Sequence, residues 1–98
     1  MNMQSLMAQA QKLQRDITKK KEEIEKTEFE GKSEWVEVVF TGDRKLKSFK
    51  VLKDNIVDQD DIEMLQDMSK IAIDNALNKI DKEYTEKMGM YSSMNGLM

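Results

Sequence analysis

A seven-residue repeat of apolar positions dominates the first part of the chain. The apolar residues at the positions of this repeat are Met3, Leu6, Ala10, Leu13, Ile17 and Ile24. The spacing is typical of an amphipathic helix, and Lys20 interrupts it in the third repeat. We therefore predict a helix over residues 3–26. Because its apolar seam is too narrow to be buried alone, the helix requires a second helix, from this chain or from a second copy.

The apolar pattern changes to a period of two between residues 27 and 52. Val36, Val38 and Phe40 alternate with polar or outward-facing positions, which indicates a strand. Gly42-Asp43 then predicts a tight hairpin turn, and residues 46–52 predict a second strand. A shorter strand centred on Phe29 completes a predicted three-stranded antiparallel meander with one apolar face.

A helical period returns after residue 58. The acidic run from Asp60 to Glu63 resembles a capping box and predicts the start of the second helix. Met64 and Ile71 lie outside the wide apolar stripe of this helix and suggest a second contact surface. The stripe itself, which is typical of a core-facing helix, consists of Leu65, Met68, Ala72, Ile73, Ala76, Leu77, Ile80 and Tyr84.

The element order predicts an α+β fold, with an N-terminal helix, a three-stranded antiparallel meander and a C-terminal helix. Residues after Lys87 show no sustained period and contain Gly89 and Gly96. We therefore expect a single domain over residues 1–88 and a flexible C-terminal tail over residues 89–98.

Composition excludes several kinds of chemical site. The chain has 98 residues and contains no cysteine and no histidine, so it lacks thiol nucleophiles, disulfides and the commonest general base and metal ligand. Its glycines stand singly, so no phosphate-cradling loop is present. No apolar run approaches the length of a membrane span. We expect a cytoplasmic protein that is not an enzyme and that has no cofactor, metal ion, membrane partner or small-molecule substrate.

The distribution of charge is more informative than the net charge of −3. Residues 58–98 carry a net charge of −5, whereas cations cluster on one side of the first helix, opposite the apolar seam. One interpretation is an ordinary solvated helix surface. The other is a basic stripe that contacts a phosphate backbone. The candidate DNA-binding residues are Lys12, Arg15, Lys19 and Lys26, with Lys20 closer to the seam.

Trp35 also allows two interpretations. A base-stacking platform requires an exposed ring among cations, yet Glu34 and Glu37 flank this residue. Packing in the core or at a dimer interface is therefore favoured. The residues that we expect in core or dimer packing are Leu6, Leu13, Ile17, Trp35, Val38 and Phe40.

Several local strings, in order and spacing, resemble the YbaB/EbfC family of nucleoid-associated proteins. The string LMAQAQKLQ at residues 6–14 is similar to the family's opening motif, and VEV at 36–38, with Phe40 and Gly42 beyond, resembles its strand and turn. The strings EMLQDM at 63–68 and AIDNA at 72–76 resemble its closing helix. The chain departs from the family pattern at Lys32-Ser33-Glu34, at residues 51–54 and in its tail.

The resemblance implies a tight homodimer with projecting helices that binds double-stranded DNA in the bacterial nucleoid without strict sequence preference. We expect phosphate contacts to dominate that binding. The alternative is an interaction adaptor or holdase-like module that grips protein partners without binding DNA. The overall acidity, the methionine-rich ends and the wide apolar helix face support this alternative.

Overall fold

The computed structural model describes residues 2–95, and their side chains through Gly89. It confirms the predicted α+β architecture and element order. The elements are helix α1 (Met3–Lys26), strands β1 (Glu28–Lys32), β2 (Val36–Thr41) and β3 (Leu46–Val51), and helix α2 (Gln59–Asn95).

Helix α1 begins and ends close to the predicted residues. The Asn2 side-chain oxygen accepts a hydrogen bond from the Ser5 N–H at 2.8 Å and so satisfies a free donor of the first turn. At the other end, Thr27 has an extended backbone and its N–H donates to the Ile24 carbonyl at 3.0 Å. The chain therefore passes from α1 into β1 with almost no intervening loop.

The three strands form an antiparallel sheet in the order β1-β2-β3. Phe29 of β1 lies opposite Phe40, and Val38 of β2 lies opposite Phe49. The β2–β3 turn is closed by a hydrogen bond from the Arg44 N–H to the Thr41 carbonyl at 2.8 Å, and Arg44 has a left-handed φ of 64°. A three-residue hairpin loop needs this conformation at its last position.

Helix α2 lies across β1 and β2 and closes the core. An added Cβ on Gly31 would lie 2.0 Å from the Ala72 carbonyl oxygen, so glycine permits the close approach of β1 to the helix. Small side chains at Ala72 and Ala76 serve the same approach from the other side. The buried core consists of Ile24, Phe29, Val36, Val38, Phe40, Ala72, Ala76 and Ile80.

The start of α2 differs from the prediction. The carboxylate of Asp58, rather than of Asp60, accepts from a backbone N–H of the first turn, that of Asp61, at 2.8 Å. The Asp61 carboxylate in turn accepts from the Val57 N–H at 3.1 Å. Asp58 is therefore the N-cap, two residues before the predicted one, and Asp61 accepts from the residue before the cap rather than from the cap itself as in a capping box.

The end of α2 lies beyond the predicted boundary at residue 88, since the helix continues through Gly89 to Asn95. Isolated glycine is tolerated in a helix interior at a cost of about 1 kcal/mol. The division into a domain over 1–88 and a tail over 89–98 stays a prediction, and residues 96–98 of that tail lie outside the described residues.

The packing residues expected from sequence fall into three groups. Val38 and Phe40 are buried, and Trp35 packs against the core from its edge. Leu13 and Ile17 are half-buried. Leu6 is 47% exposed and does not belong to the core of this chain, because α1 runs away from the sheet toward its N-terminus. A role for Leu6 in packing between copies stays a prediction.

Within residues 2–95, neither α1 nor α2 is long and apolar enough to cross a membrane.

Candidate nucleic-acid interface

Helix α1 projects from the sheet and gives the molecule an elongated shape of 71 × 23 × 14 Å. Only its last turns meet the core, where Ile24 is buried. The C-terminal part of α2 lies beside α1, as shown by the groove that Lys20, Glu23, Glu83 and Lys87 line together. The candidate interface therefore lies on an arm rather than on the compact end of the molecule.

The four predicted cations of the basic stripe share one exposed side of this arm. Lys12, Arg15, Lys19 and Lys26 are all exposed. Within the described residues, none of them has a side-chain nitrogen within 4.0 Å of a carboxylate oxygen. From Lys12 to Lys26 the stripe is about 21 Å long at 1.5 Å per residue. Cations that are free and aligned over this length suit an extended row of phosphates.

Carboxylates border the stripe without pairing to it. Asp16, Lys19, Lys20 and Glu23 line one shallow groove of mixed charge. Lys20 is half-buried and also lines the groove between the two helices. The structure thus places Lys20 apart from the other four candidate cations, toward the apolar seam.

Two cations of the sheet and its turn form contacts within the chain. The Arg44 guanidinium pairs with Asp81 and also lies 5.6 Å from the ring centroid of Tyr84. The Lys47 ammonium pairs with Glu28 across the sheet. Arg44 and Lys47 therefore differ from the unpaired stripe on α1, whereas Lys32 and Lys50 of the sheet are exposed and form no ion pair within the described residues.

Trp35 lies immediately before β2 and is partly buried against the core. The Lys53 ammonium lies 4.8 Å from the ring centroid, a cation–π contact that occupies one face of the indole. This geometry favours the packing interpretation of Trp35 over base stacking.

The apolar face of β3 is not covered within the described part of the chain. Leu46, Phe49 and Val51 lie opposite Phe40, Val38 and Val36, and therefore on the side of the sheet that faces α2. Helix α2 nevertheless packs on β1 and β2 and does not reach β3. As a result, Leu46 is 52% exposed and Phe49 44% exposed.

The two edges of the sheet differ in how they are protected. At β1, the Lys79 ammonium donates to the Glu30 carbonyl at 2.6 Å, and the Asn75 side-chain oxygen accepts from the Lys32 N–H at 3.3 Å. Ile73 and Leu77 lie on the other side of α2, toward β3, and are half-buried. This flank of α2 lies on the same side of the sheet as the open apolar face of β3, which α2 does not reach.

Sequence reasoning predicted one apolar face for the meander but missed this surface, because alternation does not show which strands a helix covers. One signal was available: lysines at 45, 47, 50 and 53 surround only a few apolar positions. Lysine-rich strands are typical of sheet edges.

Comparison with known proteins agrees with the geometry of the arm. The family model described as "YbaB/EbfC DNA-binding family" matches residues 1–95. A relative from Ligilactobacillus salivarius, named a nucleoid-associated protein, is 46% identical over 94% of this chain and 89% of its own length. Relatives with the same name from Lactococcus lactis subsp. cremoris and Streptococcus equi subsp. zooepidemicus are 47% and 44% identical, each over 94% of both chains. This chain belongs to the YbaB/EbfC DNA-binding family.

Proposed function

We propose that this protein is a nucleoid-associated, DNA-binding homodimer that holds duplex DNA mainly through phosphate contacts. The α1 arm makes these contacts with Lys12, Arg15, Lys19 and Lys26, while Lys20 contributes from the side of the groove. Binding of this kind has little sequence preference, because phosphates carry no direct sequence information. The protein acts in the bacterial cytoplasm, at the nucleoid, where it affects DNA organisation and gene expression.

The observation that carries the proposal is the unpaired basic stripe on a projecting helix. A net charge of −3 opposes DNA binding by the molecule as a whole. The stripe overcomes this because its four cations form no ion pair with the carboxylates that border them, and because Glu63, Asp67 and Asp74 are exposed on a different helix, α2. Family membership favours this function over the alternative of a protein-binding adaptor.

The uncovered β3 surface supports the homodimer. A second copy that packs on Leu46, Phe49 and Val51 would cover the apolar face of β3 that α2 leaves open in the described chain. Two copies also supply two basic stripes to one DNA molecule, which raises affinity through effective concentration.

The test of phosphate binding is a salt titration of affinity for a duplex of mixed sequence. We expect log K to fall linearly with log salt, with a slope of about −0.9 for each phosphate that is neutralised. The triple variant Lys12→Glu/Arg15→Glu/Lys19→Glu should lose binding and retain its oligomeric state, since all three side chains are exposed.

A matched control distinguishes the effect of losing the basic stripe from the effect of changing the net charge. The variant Lys45→Glu/Lys70→Glu/Lys82→Glu changes the net charge by the same amount at exposed positions away from α1. It should keep most of the affinity at moderate salt. Equal losses in the two triple variants, or wild-type binding that does not weaken with salt, would contradict the proposal.

A further inference from the structure

The N-terminal segment of α1, residues 3–13, exposes apolar side chains that the proposed function does not use. We call this segment the α1 tip. Met3 is 76% exposed, Leu6 47% and Met7 57%. Isolated exposed apolar residues are ordinary, but Met3 and Leu6 are joined by the seven-residue repeat into one seam, and Met7 lies beside it.

The α1 tip extends past the described end of α2. Helix α1 covers about 32 Å from Ile24 to Met3, whereas α2 covers about 17 Å from Tyr84 to Asn95. Ile24 is buried in the core and Tyr84 packs against it, so both helices leave the sheet at the same level. The tip therefore extends roughly 15 Å beyond Asn95.

The apolar residues of the seam carry no charge, and the charged side chains nearest to them are Lys12 and Asp16, at the end of the tip closer to the sheet. Residues 2–11 contain no acidic or basic side chain, and the first charged residue of α1 is Lys12. An open groove of about 440 Å³ runs along the seam. Its lining residues are Leu6, Gln9, Ala10, Lys12, Leu13 and Asp16.

The seam and the basic stripe lie on opposite sides of α1. With 100° per residue, Lys12 and Lys19 lie between about 160° and 180° from Met3 around the helix axis. DNA on the stripe therefore leaves the seam accessible. A neutral seam also allows two copies to approach without repulsion between cations of the tips.

We propose that the α1 tips of two DNA-bound dimers pair with each other in antiparallel fashion and so link the dimers. In this pairing Leu6 packs against the partner's Ala10, and Met3 packs against the partner's Leu13. The first of these layers places a large side chain opposite a small one. Met7 and Gln9 lie beside the seam and bring no like charges together. The pairing rests on the proposed DNA binding, which supplies the second tip at high local concentration.

The small size of the seam determines when the contact forms. Three turns of helix bury far less than the roughly 1,200 Å² of a specific, stable interface. Free dimers should therefore stay separate in solution. Dimers on DNA gain the effective concentration that makes a weak contact productive.

The variant Met3→Gln/Leu6→Gln tests the pairing, because both side chains are exposed and the fold does not depend on them. The measurement uses a long duplex fixed to a surface and a labelled copy of the same duplex in solution, and it records how much labelled DNA the protein captures. The protein concentration is one that saturates a short duplex with room for a single dimer. We expect the wild type to capture the labelled DNA and the variant to capture about tenfold less. Affinity for the short duplex should not change.

Val57→Gln is the matched control, since Val57 is 82% exposed and lies outside α1. It should capture DNA like the wild type. Wild-type capture by the tip variant, or loss of its short-duplex affinity, overturns the pairing; the latter result would mean that the tip contacts DNA. Failure of the wild type to bind the short duplex would instead overturn the proposed function.

Discussion

Tyr84 shows how single residues join the turn of the sheet to the long helix. Its hydroxyl lies 3.5 Å from the Gly42 carbonyl oxygen, and the Arg44 guanidinium lies over its ring. Arg44 also pairs with Asp81, one helical turn before Tyr84. These contacts hold Arg44 in the left-handed conformation that the hairpin needs.

The environment of Tyr84 shifts the pKa of its phenol. Burial, with a smaller contribution from the Glu25 carboxylate, raises the pKa of the phenol above its ordinary value of 10.0. The protonated form is therefore favoured in the folded state. The contribution of the protonated phenol to the free energy of unfolding is fully present below about pH 10. It is lost as pH rises through the raised pKa.

Tyr91→Phe isolates this titration, because the chain has only two tyrosines. In that variant we expect the ultraviolet signal of phenol ionisation to have its midpoint above pH 10.0. Tyr84→Phe should make the loss of stability above pH 10.0 smaller than in the wild type. A midpoint at or below the ordinary value would refute the assigned burial.

At the scale of elements, α2 organises the fold through three separate contacts. It covers β1 and β2, its Asn75 and Lys79 side chains protect the edge of β1, and its C-terminal part lies beside α1. The first contact depends on how closely the helix approaches Gly31. An added Cβ there would meet the Ala72 carbonyl oxygen at 2.0 Å and the Ala76 Cβ at 2.7 Å.

Gly31→Ala should therefore be strongly destabilising. Because the obstructing atoms belong to the helix backbone and to a small side chain, α2 must move away from β1. We expect the free energy of unfolding to fall by about 3 kcal/mol in a urea titration followed by circular dichroism.

Gly89→Ala is the matched control within α2. A Cβ at Gly89 meets no atom within 4 Å, and alanine favours a helix interior by about 1 kcal/mol. This substitution should keep or increase stability. If both alanine variants unfold at the wild-type midpoint, the close approach at Gly31 is not the constraint described above.

At the scale of the whole molecule, the open surface on β3 points to a second copy. The exposed Leu46 and Phe49 lie on the same face as the buried Val38 and Phe40. A chain of this size buries only about two-thirds of its unfolded surface. Covering β3 with a partner would add apolar burial at Leu46 and Phe49, which the single chain leaves 52% and 44% exposed.

Phe49→Asp should separate the copies without unfolding the chain, because the side chain is 44% exposed. We expect sedimentation to show a dimer for the wild type and a monomer for the variant. Affinity for DNA should fall at least about tenfold as two linked stripes become one.

Val57→Asp introduces the same charge at an exposed apolar position away from β3 and should remain dimeric. A dimer that survives Phe49→Asp would place the contact between copies elsewhere on the molecule.

Local periodicity made most of the architecture predictable from sequence. The seven-residue repeat indicated α1, and alternation at Val36, Val38 and Phe40 indicated the buried side of β2. Local signals were weaker at the start of α2, where Asp58 replaces Asp60 as the capping residue. Which side chain caps a helix depends on where the backbone turns, and several neighbouring acids fit the same pattern.

The sequence by itself determined the elements, their order and the cations on one side of α1, because helix and strand periods follow from backbone geometry. Tertiary structure decided which apolar faces are covered. Leu6 and Phe49 belong to patterns as regular as that of Val38, yet α2 crosses only β1 and β2, and α1 extends past the described end of α2. Burial depends on where a helix crosses a sheet, and no local period encodes that position.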